Sequence, residues 1–156
     1  MIARCSRCGI WAMNMKTSIS LEFKSEPVLL KSVRALTEQY LCTVNLAQEK
    51  RQEIVLAVDE ACTNAIRHAY QGSPDETIRL LLRKNDSCLE IVVADWGNPM
   101  PSAVSGKEET MQTKTTPESV RPGGLGLKLI RQVFDDLHIT TGKQQGNRIR
   151  MRLFLK

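Results

Sequence analysis

Residues 59–70 read Asp59-Glu60-Ala61-Cys62-Thr63-Asn64-Ala65-Ile66-Arg67-His68-Ala69-Tyr70. The spacing is helical. Glu60, Asn64 and His68 recur at steps of four and form one polar stripe that drifts by only about 80° around the axis. Ile54, Val58, Ala61, Ala65 and Ala69 make an apolar stripe beside it. A carboxylate and an amide therefore sit at the border of a buried face, where a cleft would open. Taken alone, the pattern also fits an ordinary amphipathic helix with polar flanks. Asn45 is placed to cap this helix, predicted over about 46–70, and Gly72-Ser73-Pro74 to end it.

Upstream, residues 18–24 alternate Ile19, Leu21 and Phe23 with polar neighbours, which predicts a strand. Glu26-Pro27 opens a helix carrying Val28, Leu29, Val33, Leu36 and Tyr40 as far as about Cys42. Downstream, 77–83 and 88–94 read as two strands joined by the turn Lys84-Asn85-Asp86-Ser87. Residues 98–122 are rich in Pro, Ser, Thr, Gly and Glu and lack apolar periodicity, the mark of a functional or disordered loop. Residues 123–136 turn helical again, and 137–142 and 147–155 close the chain as two strands around Lys143–Gly146. The order predicts an α/β sandwich in two layers: one mixed sheet with helices on one face.

Composition narrows the class. The 156 residues fit one domain, with 42% apolar and 25% charged residues. No apolar run nears the ~18 residues of a membrane span, and Ile10-Trp11-Ala12-Met13 is too short for a signal-peptide core. A cytoplasmic chain without a membrane segment is expected. The net charge of +5 is unevenly placed. Residues 22–136 hold 14 Lys and Arg against 17 Asp and Glu, or −3, while both ends are basic and carry no acid. Such an edge could meet an acidic partner or phosphates, or simply be a solvated strand face. With two Trp, two Tyr and three Phe, the chain has too few aromatics for a base-stacking surface, so no direct nucleic-acid binding is expected. Cys5-Ser6-Arg7-Cys8 is half a zinc-ribbon pattern with no second half. Residues 1–14 are expected to form a disordered leader ahead of a domain spanning 15–156.

Two further segments carry chemistry. The strand ending at Ala94 runs into Asp95-Trp96-Gly97-Asn98-Pro99. A carboxylate at the end of an apolar strand wants a donor, such as a purine amine, and Gly97 leaves space for a flat ring. Arg121-Pro122-Gly123-Gly124-Leu125-Gly126 opens the last helix, where glycines expose N–H groups to an anion. It follows a long loop and lacks Gly-Lys-Ser/Thr, so neither a Rossmann fingerprint nor a P-loop fits.

The order of these segments is more specific than any one of them. Residues 60–70 resemble the N box of the Bergerat-fold (GHKL) ATPases, Asp95–Pro99 their first glycine box and Gly124-Leu125-Gly126 their second. Within that superfamily the chain is most similar to the anti-sigma factor serine kinases of bacterial partner-switching systems. The likeness lies in Asp59–Ala65, Gly97-x-Pro99, and Gly126–Ile130 followed by Asp135-Asp136. It implies a Bergerat-type sandwich with an ATP lid at 98–122, and ATP and Mg²⁺ as cofactors. It also implies a sigma factor and a STAS-type anti-sigma antagonist as partners, and suggests a homodimer. By the same resemblance Glu60 would accept the proton of the attacking hydroxyl and Asn64 would ligate Mg²⁺. Asp95 and Gly97 would bind adenine, and Arg121, Gly124, Leu125 and Gly126 the phosphates, with Lys107 and Lys114 as weaker candidates. Gly146-Asn147-Arg148 departs from the Gly-Thr of many relatives. A histidine-kinase catalytic domain and a nucleotide-gated binding module are the competing readings; the first needs a phospho-acceptor histidine, and none precedes His68.

Overall fold

The computed structural model describes residues 16–100 and 124–155. The leader 1–14, Arg121, Lys107, Lys114 and all of the expected lid after Met100 lie outside the described residues. Strand β1 (Thr17–Lys24) is followed by a 3₁₀ turn (Pro27–Leu29), α1 (Leu30–Leu41) and α2 (Gln48–Asn64). A π-helical turn (Ala65–Ala69) extends α2 before the hairpin of β2 (Thr77–Lys84) and β3 (Cys88–Asp95). Helix α3 (Gly124–Val133) then leads to the hairpin of β4 (Asp136–Gly142) and β5 (Gly146–Phe154).

The strands form one sheet in the order β1-β2-β3-β5-β4. Every neighbouring pair is antiparallel, so the expected mixed sheet is corrected to an antiparallel one. The reason lies in the connections. Two helices separate β1 from β2, which returns the chain in the opposite sense. The single helix α3 does bring β4 back in the same sense as β3, but β5 inserts between them and pairs antiparallel with both.

Alternation along the strands sets the layers. Ile78, Leu80 and Leu82 of β2, Leu89, Ile91 and Val93 of β3, and Ile149 and Met151 of β5 are buried. They pack with Val33, Tyr40, Leu41, Ile54, Val58, Ala61 and Cys62 of the helices in one core. Burying each large aliphatic side chain is worth about 1.5–3 kcal/mol. Thr37 is buried on α1 because its hydroxyl donates to the Val33 carbonyl at 2.8 Å. Asn45 does not cap α2. The N-cap is Ala47, without a side-chain cap, and Glu49 in the first turn meets the positive helix end instead. Helix α3 stops at Val133, short of Asp136, which opens β4 opposite Arg152.

Candidate nucleotide site

Helix α2 buries Ile54, Ala57, Val58, Ala61 and Cys62, leaving Glu60 and Asn64 half-buried at the edge of that face. One helical turn, about 6 Å, separates them. Beyond Asn64 the ladder widens: the Tyr70 N–H donates to the Ala65 carbonyl at 3.0 Å, five residues back. Gln71 and Gly72 then take positive φ values of 52° and 82°, and the Gly72 N–H closes on the Ile66 carbonyl at 2.8 Å. This π turn leaves the Ala69 carbonyl to accept the Asn98 N–H at 2.8 Å. Single π turns of this kind favour functional sites.

The same contact brings in the first glycine segment. A Cβ on Gly97 would collide with the Ala69 backbone, so only glycine allows the loop to lie this close to the helix. Tyr70 locks the loop from below, accepting the Trp96 N–H at 2.8 Å while its hydroxyl donates to the Thr77 carbonyl. Asp95 is buried at the end of β3. Its Oδ1 accepts the Gly97 N–H at 3.0 Å and the Asn147 amide at 2.7 Å. Oδ2 accepts nothing among the described residues. Burial raises the Asp95 carboxyl above its usual range, and the Asn147 and Gly97 hydrogen bonds oppose that rise. A carboxylate with one oxygen fixed and one left over fits an exocyclic amine.

The second glycine segment arrives at the other end of the stripe. A Cβ on Gly126 would occupy the space of the Glu60 side chain, so the first turn of α3 lies directly on Glu60. Gly124 and Leu125 open that helix. From Glu60 to Ala69 the helix runs about 14 Å, with Asn64 between the two glycine segments. The fold thus brings Glu60, Asn64, Asp95, Gly97 and Gly126 to one helix. His68 is exposed on the π turn.

Asn147 and Thr141, which no sequence motif singles out, join the hydrogen bonds around Asp95. Asn147 is buried and the Thr141 hydroxyl donates to its Oδ1 at 2.6 Å. The only sequence signal was the departure from Gly-Thr at this point. Gly146 before it has φ of 70°, and a Cβ there would strike the Asp95 carbonyl oxygen. A cavity of about 430 Å³ lies against the same loop, lined by Tyr70, Glu76, Trp96, Gly97 and Lys143 among others, but not by Glu60, Asn64 or Asp95. No cluster of three or more His, Cys, Asp or Glu side chains among the described residues could cage a metal. Asn64, with its single neutral oxygen, suits Mg²⁺, which keeps waters and draws ligands from phosphates. No described helix is long and apolar enough to cross a membrane.

An antiparallel sheet covered on one face by helices, with a helix-borne Glu and Asn between two glycine segments, is the architecture expected of a Bergerat-type ATPase. The chain belongs to the histidine kinase-like ATPase domain family, whose model matches residues 23–153, and that membership implies use of ATP. It is similar to the serine-protein kinase RsbW of Bacillus pumilus, with 30% identity over 128 residues, 78% of this chain and 76% of the relative. It is also similar to the anti-sigma F factor of Halalkalibacterium halodurans, with 23% identity over 142 residues, 90% of this chain and 94% of the relative. In fold it resembles a solved structure of the RsbU and RsbW domains of a Mycobacterium tuberculosis protein, at a TM-score of 0.59 and 16% identity. That alignment covers 88% of this chain, which spans 32% of the length of the solved one.

Proposed function

We propose that the chain is an ATP-dependent protein serine/threonine kinase and anti-sigma factor that phosphorylates a STAS-type anti-sigma antagonist. The observation that carries this reading is the arrangement on one helix: Glu60 under the first turn of α3, and the Asp95 loop docked at Ala69. Names of the relatives, a serine-protein kinase and an anti-sigma factor, support a protein serine as acceptor and a sigma factor as partner.

In this reading Asp95 Oδ2 accepts the adenine amine, and Gly97, packed against the Ala69 backbone, holds the loop beside the ring. The N–H groups of the first turn of α3, from Gly124 to Gly126, bind phosphate oxygens, and Arg121 neutralises charge on them. Asn64 would hold Mg²⁺ through its side-chain oxygen, and the ion would supply positive charge to offset that of the phosphates. Glu60 takes the proton of the attacking serine or threonine hydroxyl. Residues 98–122 act as a lid over the nucleotide, the protein works in the cytoplasm as a homodimer, and residues 1–14 are a dispensable leader.

Incubation with ATP, Mg²⁺ and a STAS-domain protein, followed by mass spectrometry, should find one phosphate on a serine or threonine of the STAS protein. If ATP gates binding of that protein but no phosphate is transferred, the chain is a nucleotide-gated binding module instead.

A further inference from the structure

Asn147 is held by four groups. Its Nδ2 donates to Asp95 Oδ1 at 2.7 Å and to the Asn98 carbonyl at 2.9 Å. Its Oδ1 accepts the Thr141 hydroxyl at 2.6 Å and the Met100 N–H at 3.1 Å. An amide has two donor hydrogens and two acceptor lone pairs, so its capacity is full. Its orientation is also forced. The Asn98 carbonyl can only accept and the Met100 N–H can only donate, so a flipped amide would set donor against donor and acceptor against acceptor. Asn147 must therefore present a donor to Asp95.

We propose that Asn147 is the positioning residue that sets base specificity at this site, by holding Asp95 as an acceptor whose free oxygen takes a 6-amino purine and rejects a 6-oxo one. The proposal rests on the nucleotide reading above. The physical argument concerns which atom is left over. Oδ1 is saturated by Gly97 and Asn147, so the base meets Oδ2 alone. An ionised carboxylate accepts and cannot donate. It pairs with an amino group at position 6 of the purine and repels an oxygen there. Buried among apolar residues, the same carboxylate would tend to protonate, and once protonated it could donate to the oxygen. Asn147 stabilises the ionised form and so keeps the choice one-sided. By also holding the Asn98 carbonyl and the Met100 N–H, it fixes the loop that carries Gly97.

The neighbours of Asp95 do not titrate in the relevant range. Across the sheet it is opposed by Ile78 on β2 and Asn147 on β5, both uncharged. From the end of α2 it is faced by the Tyr70 phenol, which burial pushes up and which stays neutral below pH 8.

The test compares ADP with IDP, which differ in the 6-amino or 6-oxo group, by titration calorimetry with Mg²⁺ between pH 5 and 8. Wild type should bind ADP at least about 100-fold more tightly than IDP near neutral pH, the scale on which hydrogen-bonding sites discriminate. Asn147→Leu, of similar size but without a donor, should cut that ratio at least about tenfold. It should also move the acid loss of ADP affinity to higher pH, because Asp95 then protonates more readily. Asn147→Thr, which returns a hydroxyl donor, should restore much of the ratio. If Asn147→Leu does not fold, Asn147→Asp, which is isosteric and sets a like charge beside Asp95, should collapse the ratio in the same way. An unchanged ADP:IDP ratio and an unmoved acid limb in the folded variant would overturn the proposal, even if both affinities fell together, as a purely structural role would have it. Failure of wild type to bind either nucleotide would instead overturn the nucleotide reading itself.

Discussion

Glu60 and Asn64 differ by one helical turn and by chemistry, so their variants should fail differently. Glu60→Gln keeps shape and polarity but loses the proton acceptor. ATP binding should survive while phosphoryl transfer falls roughly 10²–10⁴-fold, the usual worth of a general base. Asn64→Ala should lose Mg²⁺-dependent nucleotide affinity together with the rate. Single-turnover kinetics beside equilibrium titration separate the two outcomes, and normal transfer by Glu60→Gln would remove Glu60 from the chemistry. Asp95 carries a stability cost. Its folded-state carboxyl titrates above the ordinary 3.8 because of burial. The unfolded chain therefore releases this proton first, and stability contributed by the neutral form is lost as pH rises from 3.8 through the folded value. Asp95→Asn keeps an acceptor for Asn147 and Gly97 and removes that cost. At pH 7 it should raise the melting temperature by about 1–4 °C while abolishing tight ADP binding. A lower melting temperature at pH 7 would show the ionised carboxylate to be stabilising.

At the scale of elements, two glycines let segments meet α2 and its π turn, and what they meet differs. Gly97 faces the Ala69 backbone, which cannot step aside. Gly97→Ala should cost about 1–3 kcal/mol, a fall of roughly 3–10 °C in melting temperature. Gly126 faces the Glu60 side chain, which can rotate away. Gly126→Ala should therefore cost less than about 1.5 kcal/mol, yet slow phosphoryl transfer at least about tenfold by displacing the carboxylate from its attack geometry. Scanning calorimetry and a transfer assay on both variants test the contrast; equal loss of stability would refute it.

Across the whole molecule, the sheet is tied on its open face by a buried carboxylate. Glu90 on β3 has no exposed surface and bridges two strands: Arg83 Nε of β2 donates to its Oε1 and Arg152 Nε of β5 to its Oε2, each at 2.6 Å. Burial alone would raise its carboxyl, but the Arg152 and Arg83 bonds together hold it below the ordinary 4.5. The stability this gives is fully present above pH 4.5 and is lost as pH falls through the depressed folded value. Glu90→Gln should lower stability at pH 7 by about 1–3 kcal/mol, and urea titrations should show the gap to wild type closing in acid. A gap independent of pH would mean that the bridge acts through packing rather than charge.

Local periodicity determined most of this protein. Alternation in β1 and short runs bounded by turn signals elsewhere placed all five strands within a residue or two, and the i+4 spacing of Glu60 and Asn64 put both at one helix edge, because such patterns are local. The glycine segments and the family resemblance were legible for the same reason: each is a short run with its chemistry built in. What the chain could not announce depended on distant partners. The insertion of β5 between β3 and β4 made the sheet antiparallel, and only that register puts Asn147 opposite Asp95, 52 residues away, and Arg83 and Arg152 around Glu90. A carboxylate within an apolar strand or an asparagine after a turn glycine has no local meaning. Its role is decided by which donors and acceptors the folded sheet brings within about 3 Å, since hydrogen bonding falls off steeply beyond that distance.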